Sequence, residues 1–410
     1  MSERLKRILF IAFFIVFTVA IGLAIYFVFF QPKTTPGALT EEEGAAGAFP
    51  GSGEAEPREP GAAIPSGSLP SAVGITGSSL PPGLAPASQT ILLKEGVTQE
   101  LSASTDGTGV RYYDPLESKF YRVATDGVIV PLSDRQFPNV ESVSWGNATD
   151  QAILTFPDGS NIHYNFTTEK QTTLPKHWNT FDFANDDLDV IAKSEAIAPE
   201  SRFLIISDPD GTNARAVEPL GDNADKTFPS YTPNNQIVAY ATVGESKGFD
   251  RESILLIGKN HENYQSLLVE GRGFLPLWSP NGQKILYSVW NVESSYRPDL
   301  WISGGAPDNM NQERVKLEIN TWADKCVWAD DLTVYCAVPQ NLPRGAALQR
   351  ELFNDLSDDI FKIDLRSGAK TLLGAPEGGL SVRNPVVTDD GTSLIFSDAV
   401  TGDLYSFRLQ

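Results

Sequence analysis

Positive charge is scarce in this chain. Lys and Arg number 32 against 52 Asp and Glu, a formal net charge of −20 over 410 residues. Non-specific nucleic-acid binding needs clustered cations to displace counterions, so the balance argues against a nucleic-acid partner. Histidine and cysteine are scarcer still, at three and two. His163, His177 and His261 show no metal-ligand spacing, and Cys326 and Cys336 lack a nearby histidine to complete a four-ligand site. No metal and no cofactor is expected.

Long hydrophobic runs are equally rare, and the prominent one lies at the N-terminus. Residues 8–30 carry no charge and can span a hydrocarbon core as a helix. No small-x-small cleavage pattern follows directly; the nearest is Ala46-Gly47-Ala48. An uncleaved transmembrane signal anchor is favoured over a cleaved signal. Arg4, Lys6 and Arg7 in residues 1–7 should hold that end in the cytoplasm, which places the remainder outside the inner membrane. Residues 31–88 are dense in Pro, Gly, Ala and Ser without apolar periodicity, the composition of a disordered linker. Such a tether of about 58 residues has a root-mean-square reach of roughly 40 Å.

Beyond it a short phrase recurs. It reads Val143-Ser144-Trp145-Gly146-Asn147, Pro229-Ser230-Tyr231-Thr232-Pro233-Asn234 and Pro276-Leu277-Trp278-Ser279-Pro280-Asn281-Gly282. Further copies are Phe181-Asp182-Phe183-Ala184-Asn185, Cys326-Val327-Trp328-Ala329-Asp330-Asp331 and Pro385-Val386-Val387-Thr388-Asp389-Asp390-Gly391. Each is a strand, a turn and a second strand, at spacings of roughly 40–60 residues, the period of a β-propeller blade. The expected fold is all-β, a propeller over residues 89–410. Seven blades begin near 97, 140, 181, 228, 274, 325 and 385, with six the alternative if 97–132 is irregular. The seventh runs out of strands, and Thr90-Ile91-Leu92-Leu93 is available to complete it and close the ring.

The run Trp278-Ser-Pro-Asn-Gly-Gln-Lys-Ile-Leu-Tyr287 resembles the repeat of TolB-like and WD-repeat-like propellers, as do Pro233–Tyr240 and Asp389–Phe396. The resemblance covers about residues 97–410 and implies a fold, not a function. TolB itself is soluble and carries an extra α/β domain, so its envelope-maintenance role does not transfer. The central aromatics, Trp145, Tyr231, Trp278 and Trp328, are expected to fill the wedge between neighbouring blades, and the Pro-Asn-Gly or Asp-Asp-Gly after them to shape the turn.

Chemistry is hard to find, and no catalytic residue is assigned. Gly244-Glu-Ser246-Lys-Gly248 matches a nucleophile-elbow pattern, but it falls in a loop between blade strands. The only later histidine is His261. Asp208-Pro-Asp210-Gly211-Thr-Asn213 resembles the start of a calcium loop without its closing Glu, and reads as a strand-connecting turn. Cys326 and Cys336 flank a tight turn on adjacent strands, where an oxidising compartment favours a cross-strand disulfide over two buried thiols.

Loop lengths say more. Connections between second and third strands are long and variable, and share one face with the blade-to-blade links. The longest contains Gly345–Phe353, of helical composition. The links place a basic residue shortly before several innermost strands: Arg135, Lys176, Lys226, Arg272 and Arg383, with His177 beside Lys176. Those residues are the candidate binding collar for a carboxylate, an acidic peptide or an anionic glycan, the alternative being chance placement in polar loops. The expectation is a membrane-tethered, extracytoplasmic protein-binding or scaffold module, with an envelope polymer as the other candidate partner. A glycan- or peptide-binding module, or a hydrolase or lyase using the channel mouth, is the alternative.

Overall fold

Seven four-stranded antiparallel sheets stand around a central channel in the computed structural model, which describes residues 89–262 and 264–409. The predicted transmembrane segment 8–30 and linker 31–88 lie outside the described residues. Among the described residues no helix is long and apolar enough to cross a membrane.

Blade 1 comprises Gln99–Ala103, Gly109–Asp114, Lys119–Ala124 and Ile129–Pro131. Blade 2 comprises Ser142–Trp145, Gln151–Thr155, Asn161–Asn165 and Lys170–Leu174. Blade 3 comprises Trp178–Phe183, Val190–Ser194, Phe203–Ser207 and Arg215–Pro219; blade 4, Thr227–Pro229, Ile237–Ala241, Glu252–Gly258 and Leu267–Val269. Blade 5 comprises Arg272–Trp278, Lys284–Trp290, Asp299–Gly304 and Val315–Lys316; blade 6, Cys326–Asp330, Thr333–Pro339, Asp358–Asp364 and Ala369–Gly374. Blade 7 takes Val382–Val387, Ser393–Asp398 and Leu404–Arg408 from the C-terminal end and Thr90–Lys94 from the N-terminal side. The last pairing runs from Thr90 opposite Phe407 to Lys94 opposite Leu404. Region 97–132 is a regular blade, so the count is seven and the six-bladed alternative falls.

Burial grades outward through each sheet. Second strands such as Val190–Ser194 and Ile237–Ala241 are buried at every residue, because both sheet faces press on neighbouring blades. This is why Ile237–Ala241 reads as an unbroken apolar run rather than an alternating one, while Val190–Ser194 buries Lys193 and Ser194 as well. Outermost strands such as Ile129–Pro131 are exposed throughout. The core is accordingly a circle of wedges. Tyr240, Ile254 and Leu256 of blade 4 pack on Phe274 and Tyr287 of blade 5. Leu93, Ile395 and Leu404 of blade 7 pack on Val110, Tyr112 and Val123 of blade 1.

The repeated aromatics sit in these wedges and do a second job. Trp145 Nε1 donates to the Glu100 carbonyl at 2.6 Å, Trp278 Nε1 to Ser230 Oγ at 3.2 Å, and Trp328 Nε1 to the Leu277 carbonyl at 3.3 Å. Each bond ties an innermost strand to the one before it. Tyr231 has no indole, and there the backbone N–H of Tyr231 donates to Asp182 of blade 3 at 2.6 Å.

The turns after the aromatics form a repeated polar box. Ser279 Oγ donates to Asn281 Oδ1 at 2.8 Å, Asn281 Oδ1 accepts the Gln283 N–H at 2.8 Å, and Ser279 Oγ accepts the Lys284 N–H at 2.9 Å. The same box is built on Ser104 and Asp106, Thr232 and Asn234, and Thr388 and Asp390. Neighbouring turns also bond to one another. Asp187 accepts the backbone N–H groups of Asn147, Ala148 and Thr149, Asp331 accepts that of Asn281, and the Gly107 carbonyl accepts that of Asp389. Gly282, at φ +68°, is required here: a Cβ would stand 2.8 Å from the Asn234 side chain.

Cys326 and Cys336 are direct register partners with Cα atoms 4.0 Å apart, and they are joined as a disulfide. They belong to the apolar wedge between blades 5 and 6. With a sequence separation of 10, the cross-link removes about 2–3 kcal/mol of unfolded-chain entropy in the loop-closure model.

Two outcomes follow from this packing. Leu93, 9% exposed in the closing strand, should lose about 2–4 kcal/mol of stability on Leu93→Ala, measured by denaturant unfolding. Ile91→Ala, in the same strand but 47% exposed, should change it by under about 0.5 kcal/mol. Burial pushes Asp182 up to about 7 from the ordinary 3.8, against the lowering effect of the Tyr231 and Phe183 N–H groups. Below the unfolded value both states hold the proton; as pH rises towards about 7 the unfolded chain releases it first, and stability falls. Asp182→Asn keeps the acceptor and removes the titration. Its melting temperature relative to wild type should therefore climb as pH rises through this window and level off above it; a pH-independent difference would refute the assignment.

Candidate functional site

Strand alternation fixes two unlike faces. First-to-second and third-to-fourth connections emerge on one; second-to-third loops and blade-to-blade links emerge on the other. The first face is occupied by the polar turn boxes and their lateral bonds. The second carries the long loops, and the candidate site is there.

All the sequence-predicted collar residues are exposed and lie on this face. They are not alike in surroundings. Lys176 pairs with Asp158 at 2.9 Å, and Arg272 lies 3.8 Å from Asp250; each acid belongs to the second-to-third-strand loop of the preceding blade. Arg135 lies over the rings of Phe137 and Tyr164, 5.5 and 5.8 Å from their centroids. His177 meets the edge of Trp178, which is itself a buried core residue at the start of the blade 3 inner strand. Lys226 ends a 3-10 turn, Gly221–Lys226, that leads into blade 4.

Arg383 opens on a cavity. A polar pocket of about 320 Å³ lies between the blade 6 loop and the blade 7 inner strand, lined by Lys325, Arg350, Asn354, Ser381, Arg383 and Asn384 among others. The loop, residues 340–357, folds into two short 3-10 turns, Ala346–Leu348 and Arg350–Phe353, where helical composition was expected. Arg350 stacks 4.8 Å above the Trp322 ring and donates through Nη2 to Asp324 at 2.8 Å. Its other side borders a second, more apolar hollow of about 270 Å³ that includes Phe274, Leu275, Trp290 and Trp322.

A buried ion pair lies behind the polar pocket. Lys325 Nζ is 2.7 Å from Asp358 Oδ2, and the Val382 N–H donates to the same oxygen at 2.7 Å. Burial raises the Asp358 pKa, and the Lys325 charge opposes that rise. Across the inner strands, Glu100 is raised by burial and lowered in part by the charge of Arg383.

Sequence reading missed Lys325, Arg350 and Trp322. Lys325 obeys the rule that found the collar, a basic residue just before an innermost strand, and was legible by it. Arg350 and Trp322 meet across a gap of 28 positions, a proximity that no local pattern encodes.

The other motifs resolve as structure. Ser246 is exposed and donates its hydroxyl to the Gly248 carbonyl at 3.0 Å, while His261 lies in a loop of the opposite face. Asp208 and Asp210 accept from Thr212 and Asn213 within their own turn. His163 is buried, with Nε2 2.9 Å from Gln151 Oε1. Among the described residues no group of three or more His, Cys, Asp or Glu is placed to hold a metal ion.

No protein-family model matches the chain, and no curated protein does. Solved structures do. An oligogalacturonate lyase in complex with manganese is similar at TM-score 0.55 and 13% identity, over 78% of this chain and 93% of that one. The oligogalacturonate lyase of Vibrio parahaemolyticus is similar at TM-score 0.54 and 10% identity, with the same coverage. The Cps50 (Swd1) β-propeller domain of Myceliophteria thermophila is similar at TM-score 0.52 and 11% identity, over 78% of this chain and all of that domain. At these identities the likeness shows the fold alone: this chain carries a seven-bladed β-propeller.

Proposed function

We propose that this chain is a membrane-tethered, extracytoplasmic propeller that docks a protein partner on the face of its long loops. One observation carries the reading. Exposed large apolar side chains gather on the loops of that face, one or more in every blade but the second: Leu116, Ile197, Phe249, Val292, Leu352 and Val400. Ile197 is 98% exposed and Phe249 85%. The connections of the opposite face offer only Leu188 and Val128 among the described residues. Apolar groups distributed over one face of a rigid ring suit a protein surface, whereas a polar turn face does not.

The tether supports the same reading. Residues 8–30, read as a signal anchor, would hold the propeller near a membrane, where tethering raises the local concentration of a partner on that membrane. The joined cysteines suit an oxidising compartment. Arg135, Lys176, His177, Lys226, Arg272 and Arg383, exposed in or next to the links on the same face, would supply its polar contacts.

Photo-crosslinking in the native cell tests the docking face. A crosslinker at position 352 should trap a defined protein, one at position 188 should not, and Phe249→Asp should reduce the yield from position 352 several-fold. Equal trapping from both positions, or none from 352, would overturn the reading. A topology reporter fused after Gln410 should be active only outside the cytoplasm; cytoplasmic activity would overturn the tether's orientation.

A further inference from the structure

The docking reading is the premise here; what it leaves open is which chemical groups of the partner enter the face. The two hollows beside Arg350 bear on that. In the polar pocket every acid already has a donor. Asp324 accepts from Arg350, Glu351 accepts from Asn354 Nδ2 at 2.8 Å, and Asp358 behind them is held by Lys325. The guanidinium of Arg383 makes no hydrogen bond or ion pair among the described residues; Glu100 feels its charge only through space. A cation with no hydrogen-bonded or ion-paired acid among the described residues therefore faces a cavity, in a protein whose net charge is −20.

Its backbone is bulged, as the inner strands of blades 1, 3 and 5 also are. The inner strand of blade 7 loses register between Arg383 and Val386, and Asn384 in that bulge adopts φ +50°. Bulges of this kind re-aim side chains, and strained backbone persists where the surroundings hold it. Arg350 is also fixed before any ligand arrives. Trp322 and Asp324 restrain it while leaving most of its N–H groups free, so little further order is lost on binding. Its far side is the wall of the apolar hollow. One side chain thus separates a place for an apolar group from a place for an anion. An extended chain presents side chains two residues apart on one side, about 6.5 Å from each other, a span suited to two hollows that share a wall.

We propose that these hollows receive an extended segment of the partner protein: an apolar side chain enters beside Trp322, and a carboxylate two residues away enters beside Arg383.

Fluorescently labelled, capped tripeptides titrated against the full chain by anisotropy test this. The peptide phenylalanine-glycine-glutamate should bind saturably. Replacing glutamate by glutamine, or phenylalanine by alanine, should weaken binding roughly tenfold or more, the scale of one charged hydrogen bond or one buried ring. Arg383 is exposed, so Arg383→Gln should fold; it should lower the glutamate peptide to the level of the glutamine peptide and leave the latter unchanged. Arg383→Lys should retain part of the preference. Absence of saturable binding by the glutamate peptide, or equal affinity of the glutamate and glutamine peptides, would overturn the proposal. Crosslinking from position 352 that persists in such a case leaves the docking face standing and removes only this assignment.

Discussion

Ring closure is the constraint on which the rest depends. Seven twisted sheets stacked around an axis leave a final gap, and any open edge there exposes unpaired backbone groups. Here the gap is filled when Thr90–Lys94 pairs antiparallel with Leu404–Arg408, so that one sheet is built from both ends of the described chain. The pairing places Leu93 against Val110, Tyr112 and Val123 of blade 1, which turns the last junction into an apolar wedge like the others. Every loop position on either face is defined relative to that closed circle.

Closure also sets how the two faces are used. On the face of the first turns, Ser, Thr, Asn and Asp satisfy the backbone of their own turn and then the turn of the next blade. Those polar groups are committed to holding the ring, and few large apolar side chains stand among them. On the other face the long loops pack inward at their bases and leave apolar tips and several cations to solvent. The division explains how a rigid scaffold can carry a variable surface without loss of stability: the lateral bonds and the variable loops occupy opposite ends of the same strands.

Much of the fold was legible because it is periodic. The aromatic-turn phrase located the blades, and the leftover Thr90-Ile-Leu-Leu93 could be assigned by counting strands. What the repeat could not reveal was the lateral use of its polar residues. Asn281 reads as a turn former, and only the neighbour Asp331, 50 positions away, shows it to be a link between blades as well. The site was less legible for the same reason. Arg383 was found by its place before an inner strand, but its distinction from Lys176 or Arg272 lies in partners from other blades. Asp158 and Asp250 pair with those two, and the sequence gives no sign that Arg383 lacks such an acid.

The buried Lys325–Asp358 pair shows what the pocket demands of the scaffold. Asp358 is fully buried and Lys325 nearly so, and Asp358 Oδ1 finds no hydrogen-bond partner among the described residues. Desolvating both charges costs several kcal/mol per ion, and packed apolar residues in such places are often as stable or more so. Stability alone is therefore a poor account of the pair. Position is a better one. Asp358 begins the third strand of blade 6, Lys325 ends the turn before its first, and Val382, whose N–H the same carboxylate accepts, begins blade 7. One carboxylate thus fixes three chain segments that converge on the pocket, including the residue immediately before Arg383. An apolar replacement could fill the volume, but it could not set the direction of the Val382 N–H or hold the Lys325 charge at the pocket wall.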